Sequence, residues 1–243
     1  MKSITSDQIC IADKSPEKLA QLKSQHQIEV KDVAAIGNSC NVIFLAVKPQ
    51  DLADVLNELK QTIQPETVVI SIAAGKTIKF IEDQLQTNNP VIRAMPNTPA
   101  QIGKGISAIA ASAKVSSDEL KIATKLFSTT GEVVVVTEDK IDAVTALSGS
   151  GPAYLFYFIE AMVKAGVELG LTDEIATKLA IETISGSAAM LKESNLDAAT
   201  LRKNVTSPKG TTAAALEVFS NNDLENIIFK AMSAAKNRAQ ELA

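Results

Sequence analysis

The sequence predicts two domains: an α/β domain built on a parallel sheet over residues 1–137, then an all-α domain over 138–243. Three observations carry this. Short, continuously apolar runs alternate with helical stretches as far as Thr137, the pattern of strands covered on both faces. Beyond Thr137 no further strand run appears, and one helical pattern follows another. The hydrophobic fraction is 46%, enough for buried cores, with Ala, Val and Ile rather than aromatics filling them.

The elements are justified in order. Residues 8–12 (QICIA) read as a short buried strand. Ser15-Pro16 then supplies an N-cap and first-turn proline for a helix to about Gln25. Residues 41–47 (NVIFLAV) form a second strand, and Pro49 opens a helix over 49–62. Further strands are expected at 67–73, 90–94, 106–111 and 133–136. Between the last two, Ser116-x-x-Glu119 is a capping box for a helix through SSDELKIATKLF. Helices are expected at 138–147, 152–170, 172–193, 196–203, 208–220 and 222–241. In the second of these, Leu155, Phe158, Ile159, Met162, Val163 and Val167 recur at helical spacing, and Phe156 and Tyr157 widen the face. A helix apolar nearly all round in a small helical domain predicts burial against another subunit. Asn222-x-x-Glu225 is expected to cap the last helix.

Composition excludes several classes. A formal charge of −4 offers no basic surface for nucleic acid or an anionic membrane. Pro152–Leu171 is interrupted by Glu160, Lys164 and Glu168, too polar for a simple membrane span. MKSITSDQI lacks the apolar core of a signal peptide. Cys10 and Cys40 form no CxxC and read as two buried thiols of an intracellular, cytoplasmic protein. His26 is the only histidine, so neither a His-based dyad nor a zinc site is expected.

Dinucleotide folds carry G-x-G-x-x-G between a first strand and first helix. Two glycine pairs mimic it. Gly103-Lys-Gly105 runs into a β-rich segment, and Gly149-Ser-Gly151 is preceded by helix. Both are rejected for lack of a strand–turn–helix context. Asp13 ends ICIAD where a strand would set an acid near an adenosine ribose, whereas Lys14 and Ser15 suit a 2′-phosphate. Ala46-Val47-Lys48-Pro49 closes the next strand, at the carboxyl end where ligand crevices form. Arg93–Ala100 (RAMPNTPA) is a rigid strand-end loop offering Asn97 and Thr98. Ala146–Tyr154 (ALSGSGPAY) reads as a tight polar turn before Pro152. Val205–Thr212 (VTSPKGTT) reads as a helix start capped by Ser207 with Pro208 in its first turn. Its free N–H groups suit a carboxylate, and its hydroxyls suit a ring nitrogen. Taken singly, each segment is also accounted for as a cap or a turn.

Taken together and in this order, AVKPQ, RAMPNTPA, ALSGSGPAY and VTSPKGTT resemble the pyrroline-5-carboxylate reductases, from about Gln8 to the end of the chain. The resemblance implies a Rossmann domain followed by an all-α dimerisation domain, and a homodimer or larger homo-oligomer. It implies reduction of a ring imine to L-proline, the last step of proline synthesis, with NADPH or NADH. Ser207, Gly210, Thr211 and Thr212 would bind the substrate, with Thr212 on the imine nitrogen. Asp13, Lys14, Ala46, Val47, Lys48, Pro49, Ala74 and Asn97 would line the cofactor, the nicotinamide lying near Ala46–Pro49, Ala73–Gly75 and Met95–Thr98. One subunit's helical domain would complete the site on another's Rossmann domain. Two departures follow. Lys209 stands where many members carry glycine. The α/β domain is also expected to lack its first strand and Gly-rich loop, roughly 30 residues of a βα unit. The alternative to an enzyme is therefore a non-catalytic dimerising fragment.

Overall fold

The computed structural model describes residues 4–242. Its contacts separate two units. One takes in the chain to Gly149 and the end from Ala235; the other is Ser150–Ala234.

In the first unit, β1 (Cys10–Ile11) pairs in parallel with β2 (Glu29–Val30) through α1 (Pro16–His26). The expected cap is present: Ser15 Oγ accepts from the Lys18 N–H at 3.3 Å. A second sheet has the spatial order β3 (Val42–Leu45), β4 (Val68–Ser71), β5 (Val91–Met95), β6 (Gly105–Ala111) and β7 (Gly131–Val135). The two sheets share no ladder among the described residues.

Alternation along the strands builds both layers. Val69 and Val91 turn toward α2 (Val33–Ser39), α3 (Leu52–Leu59) and α4 (Ile78–Leu85), meeting Leu52, Leu56 and Ile81. Val68, Ile70 and Ile92 turn the other way, against Ala123 and Phe127 of α5 (Ser117–Phe127). The predicted Ser116–Glu119 capping box opens α5.

The sheet is not wholly parallel as expected. β6 runs antiparallel to β5, with Arg93 opposite Ala110. The connection from Pro96 to Lys104 is shorter than the dozen or so residues a crossover requires, so the chain doubles back. α3 also starts at Leu52 rather than at Pro49. Lys48–Asp51 instead form a β-turn closed by Asp51 N–H on Lys48 O at 2.9 Å, with Pro49 at its favoured second position. Cys10 and Cys40 are half-buried rather than buried, and their Sγ atoms lie 3.3 Å apart. After β7, a short α6 (Ile141–Val144) leads into a π-helical turn, Thr145–Gly149.

The second unit holds α7 (Gly151–Glu168), α8 (Asp173–Glu193), α9 (Ala198–Asn204), α10 (Thr211–Asn221) and the start of α11 (Leu224–Glu241). Among its described residues only Ala176 and Ala180 are buried apolar side chains. No residue of α7 is buried: Phe156 is 59% exposed and Tyr157 74%. Asn222 does not cap α11; its Nδ2 donates back to Val218 O, and Asp223 makes the corner at φ 55. Among the described residues no helix is long and apolar enough to cross a membrane.

Candidate active site

In the first unit the candidate residues gather on loops at the carboxyl ends of parallel strands, where α/β folds form ligand crevices. Asp13 and Lys14 follow β1. Asp13 Oδ1 accepts from the Ser15 N–H at 2.8 Å. Lys14 Nζ bonds Asp51 Oδ1 at 2.8 Å, tying the end of β1 to the turn after β3. The ammonium holds the Asp51 carboxyl below its usual range, and the carboxylate raises Lys14 in return. Ala46 and Lys48 are exposed, and Val47 and Pro49 are half-buried.

Ala74 follows β4 and packs with Met95, Ala108 and Ile141. The next residue, Gly75, adopts φ 75, and a Cβ there would lie 2.7 Å from Leu242 Cβ, so only glycine fits. Asn97 is spent on structure on one side: its Oδ1 accepts from Ile106 N–H at 3.0 Å and sets the β5–β6 corner.

ALSGSGPAY does not form the expected tight turn. Thr145–Gly149 is a π-helical turn, and α7 begins at Gly151 with Pro152 in its first turn. A Cβ on Gly149 would lie 3.3 Å from Met95 Sδ. The structure thus brings Gly149 of this motif against Met95 of RAMPNTPA, although the two are far apart in sequence. Both rejected glycine pairs prove to be decoys: Gly103 ends a 3-10 turn, and Gly105 starts β6.

A charged cluster beside these loops escaped the sequence reading. Arg93, in the middle of β5, is only 3% exposed. Its NH2 lies 3.2 Å from Asp142 Oδ1 and its NH1 3.6 Å from Glu138 Oε1. Glu138 Oε1 also accepts from the Ile78 N–H at 2.6 Å. The signal was legible: an arginine inside an apolar strand requires an acidic partner, and Glu138, Asp139 and Asp142 follow β7.

In the second unit, Ser207–Gly210 form a turn closed by Gly210 N–H on Ser207 O at 3.0 Å. Ser207 is therefore not the N-cap and Pro208 not in the first helical turn; Gly210 caps α10. Pro208 and Lys209 occupy the turn's centre, and Lys209 sits at φ 59. That left-handed conformation explains why glycine suits the position. A Cβ on Gly210 would meet Ser207 Oγ at 2.4 Å and Ser207 O at 3.1 Å, so a side chain here would have to turn the serine hydroxyl aside. The first intrahelical bond runs from Ala214 N–H to Gly210 O. The amides of Thr211, Thr212 and Ala213 precede it, forming the positive end of the helix. Thr211 is exposed and Thr212 half-buried.

An α/β unit with these strand-end loops, joined to a helical unit, defines a Rossmann-type NAD(P)-dependent oxidoreductase. Residues 2–75 match a family model described as NADP oxidoreductase, coenzyme F420-dependent. Residues 138–242 match one described as pyrroline-5-carboxylate reductase dimerisation. A pyrroline-5-carboxylate reductase of Corynebacterium melassecola is 38% identical, over 96% of this chain and 88% of the relative. The solved structure of one from Coxiella burnetii superposes with a TM-score of 0.92 at 37% identity, covering 98% of this chain and 89% of that one. A Plasmodium falciparum pyrroline carboxylate reductase with NADP bound gives a TM-score of 0.84 at 29% identity, covering 96% and 86%. The chain belongs to the pyrroline-5-carboxylate reductase family.

Proposed function

We propose that this chain reduces 1-pyrroline-5-carboxylate to L-proline with NADPH or NADH. The observation that carries the reading is the loop Ser207–Thr212, whose bare Gly210 leaves backbone amides open at a helix start. The substrate carboxylate accepts from the N–H groups there, assisted by the helix's positive end. The Ser207 and Thr211 hydroxyls add donors. Thr212 Oγ1 hydrogen-bonds the ring nitrogen and fixes which carbon is presented to the reductant.

The strand-end loops of the first unit fit a nicotinamide nucleotide. Ala46 is small and exposed after β3, and the small, half-buried Ala74 follows β4. Asp13 suits a ribose diol, and Lys14 a 2′-phosphate. When bound, this cofactor supplies the hydride. The protein's own contribution is orientation and proton management. The ring nitrogen must carry a proton as the imine carbon becomes saturated, and Thr212 with water holds it there. No histidine is needed for that chemistry.

The helical unit pairs with that of a second subunit. The exposed apolar residues of α7 support this reading, because a helix with no buried residue gains little within its own chain. Loss of NADPH absorbance with pyrroline-5-carboxylate, matched by proline formed, tests the function. A chain that associates but yields no proline is a dimerising fragment, and the catalytic reading fails.

A further inference from the structure

We infer that Glu138 is a positioning residue for the cofactor, acting through the backbone of the loop between β4 and α4; this rests on the nicotinamide reading of that loop. Helix α4 begins after Ala73–Thr77, and its first-turn amides lack intrahelical partners. Thr77 Oγ1 accepts from Phe80 N–H at 3.0 Å. The Ile78 N–H is taken by Glu138, which reaches it from beyond β7, at 2.6 Å. Ile78 is buried, and this bond is partly shielded from water. The loop is therefore held at its far end by a side chain outside its own βα unit.

Glu138 is itself held. Arg93 is nine-tenths buried and more, and it spans Glu138 and Asp142. Arg93 lies on β5, the strand that ends at Met95 and leads to Asn97. Asp142 lies on α6, which runs into the π-helical turn that puts Gly149 against Met95. One guanidinium and two carboxylates thus join the start of α4, the middle of β5 and the segment after β7. These are the supports of two loops assigned to the nicotinamide. A loop fastened this way cannot shift without breaking a charge-assisted bond, and small misplacements of a bound ligand carry large penalties.

Two variants separate reach from charge. Glu138→Gln keeps an acceptor oxygen within reach of Ile78 but removes the charge facing Arg93. Glu138→Asp keeps the charge but withdraws the oxygen by one methylene. The measurement is NADPH fluorescence titration without substrate, followed by KM for both substrates. E138D is expected to weaken NADPH binding about tenfold and raise its KM in parallel, with KM for pyrroline-5-carboxylate unchanged. E138Q is expected to weaken it less, by about threefold, because an acceptor for Ile78 remains while the charge-assisted hold of Arg93 is lost. Parental affinity in E138D, or equal weakening in both variants, overturns the inference while leaving the cofactor reading intact. Failure of the parent chain to bind NADPH overturns both.

Discussion

Gly166 in α7 lies so close to Ala176 in α8 that a Cβ on the glycine would stand 3.1 Å from the alanine Cβ. The hairpin of these helices depends on this absence of a side chain. Gly170 at φ 101 makes the corner, and Leu171 N–H donates to Gly166 O at 3.0 Å. Gly166→Leu should therefore push the helices apart and cost about 1–3 kcal/mol, the usual cost of overpacking. Thermal denaturation checks it, and an undiminished melting temperature would show that the hairpin tolerates a wider spacing.

Thr212→Ala tests the substrate loop. Removing the hydroxyl from the half-buried first turn of α10 should lower turnover about 100-fold, a common cost of losing one group that acts on developing charge or a moving proton. NADPH affinity should not change. Steady-state kinetics with a separate cofactor titration distinguishes these; normal turnover removes Thr212 from the mechanism.

Lys209 carries a cost that glycine would not. At φ 59 its Cβ crowds the backbone, so Lys209→Gly should stabilise the protein by about 1 kcal/mol, whereas Lys209→Ala should not. Denaturant unfolding of the two variants side by side provides the comparison. Equal midpoints would mean that the turn relaxes without strain.

Arg93→Met leaves Asp142 and Glu138 facing each other without their shared cation. A loss of about 3 kcal/mol is expected, at the lower end for broken buried pairs because both carboxylates retain some water. Adding Asp142→Asn should recover part of it, since the second change removes the stranded charge. If the double variant is no more stable than the single, the two groups are not energetically coupled.

Burial, and then the hydrogen-bonded neighbouring thiol of Cys40, push the Cys10 thiol up to about 11. Below that value the reactive thiolate is a minor species whose share grows with pH. Alkylation of Cys10 by iodoacetamide should accelerate roughly tenfold for each pH unit up to about 10. Peptide mass spectrometry follows the modified fraction; a rate already level at neutral pH would contradict the raised value.

Much of the architecture was legible because it rests on local rules. Apolar runs mark every strand of the large sheet, and Ser15 and Ser116 cap the helices they were expected to cap. β2 escaped because two residues carry no periodicity, and α2 because seven residues with one glycine make a weak helical signal. α4 carries a legible signal of its own, a Thr77 cap followed by Ile78, Ile81 and Leu85 at helical spacing. The reversal of β6 is set by connection length and the partner across the ladder, which apolar content does not encode. Pro49 and Pro208 were both read as helix starts. Each instead takes a turn position that the same fixed φ allows, and the neighbouring hydrogen bonds decide between the two. In the site, motif spacing located the strand-end loops, but it set the VTSPKGTT helix start at Ser207 and Pro208, ahead of the observed cap Gly210. The Arg93–Glu138–Ile78 linkage spans three separate elements, so no local window contains it.

The bare surface of α7 has a thermodynamic consequence. When a helix draws its burial from a second molecule, mass action enters the folding equilibrium. The melting point of the helical unit then rises with total protein, and dilution alone acts as a denaturant. A single unfolding free energy, quoted without a concentration, has no meaning for such a unit.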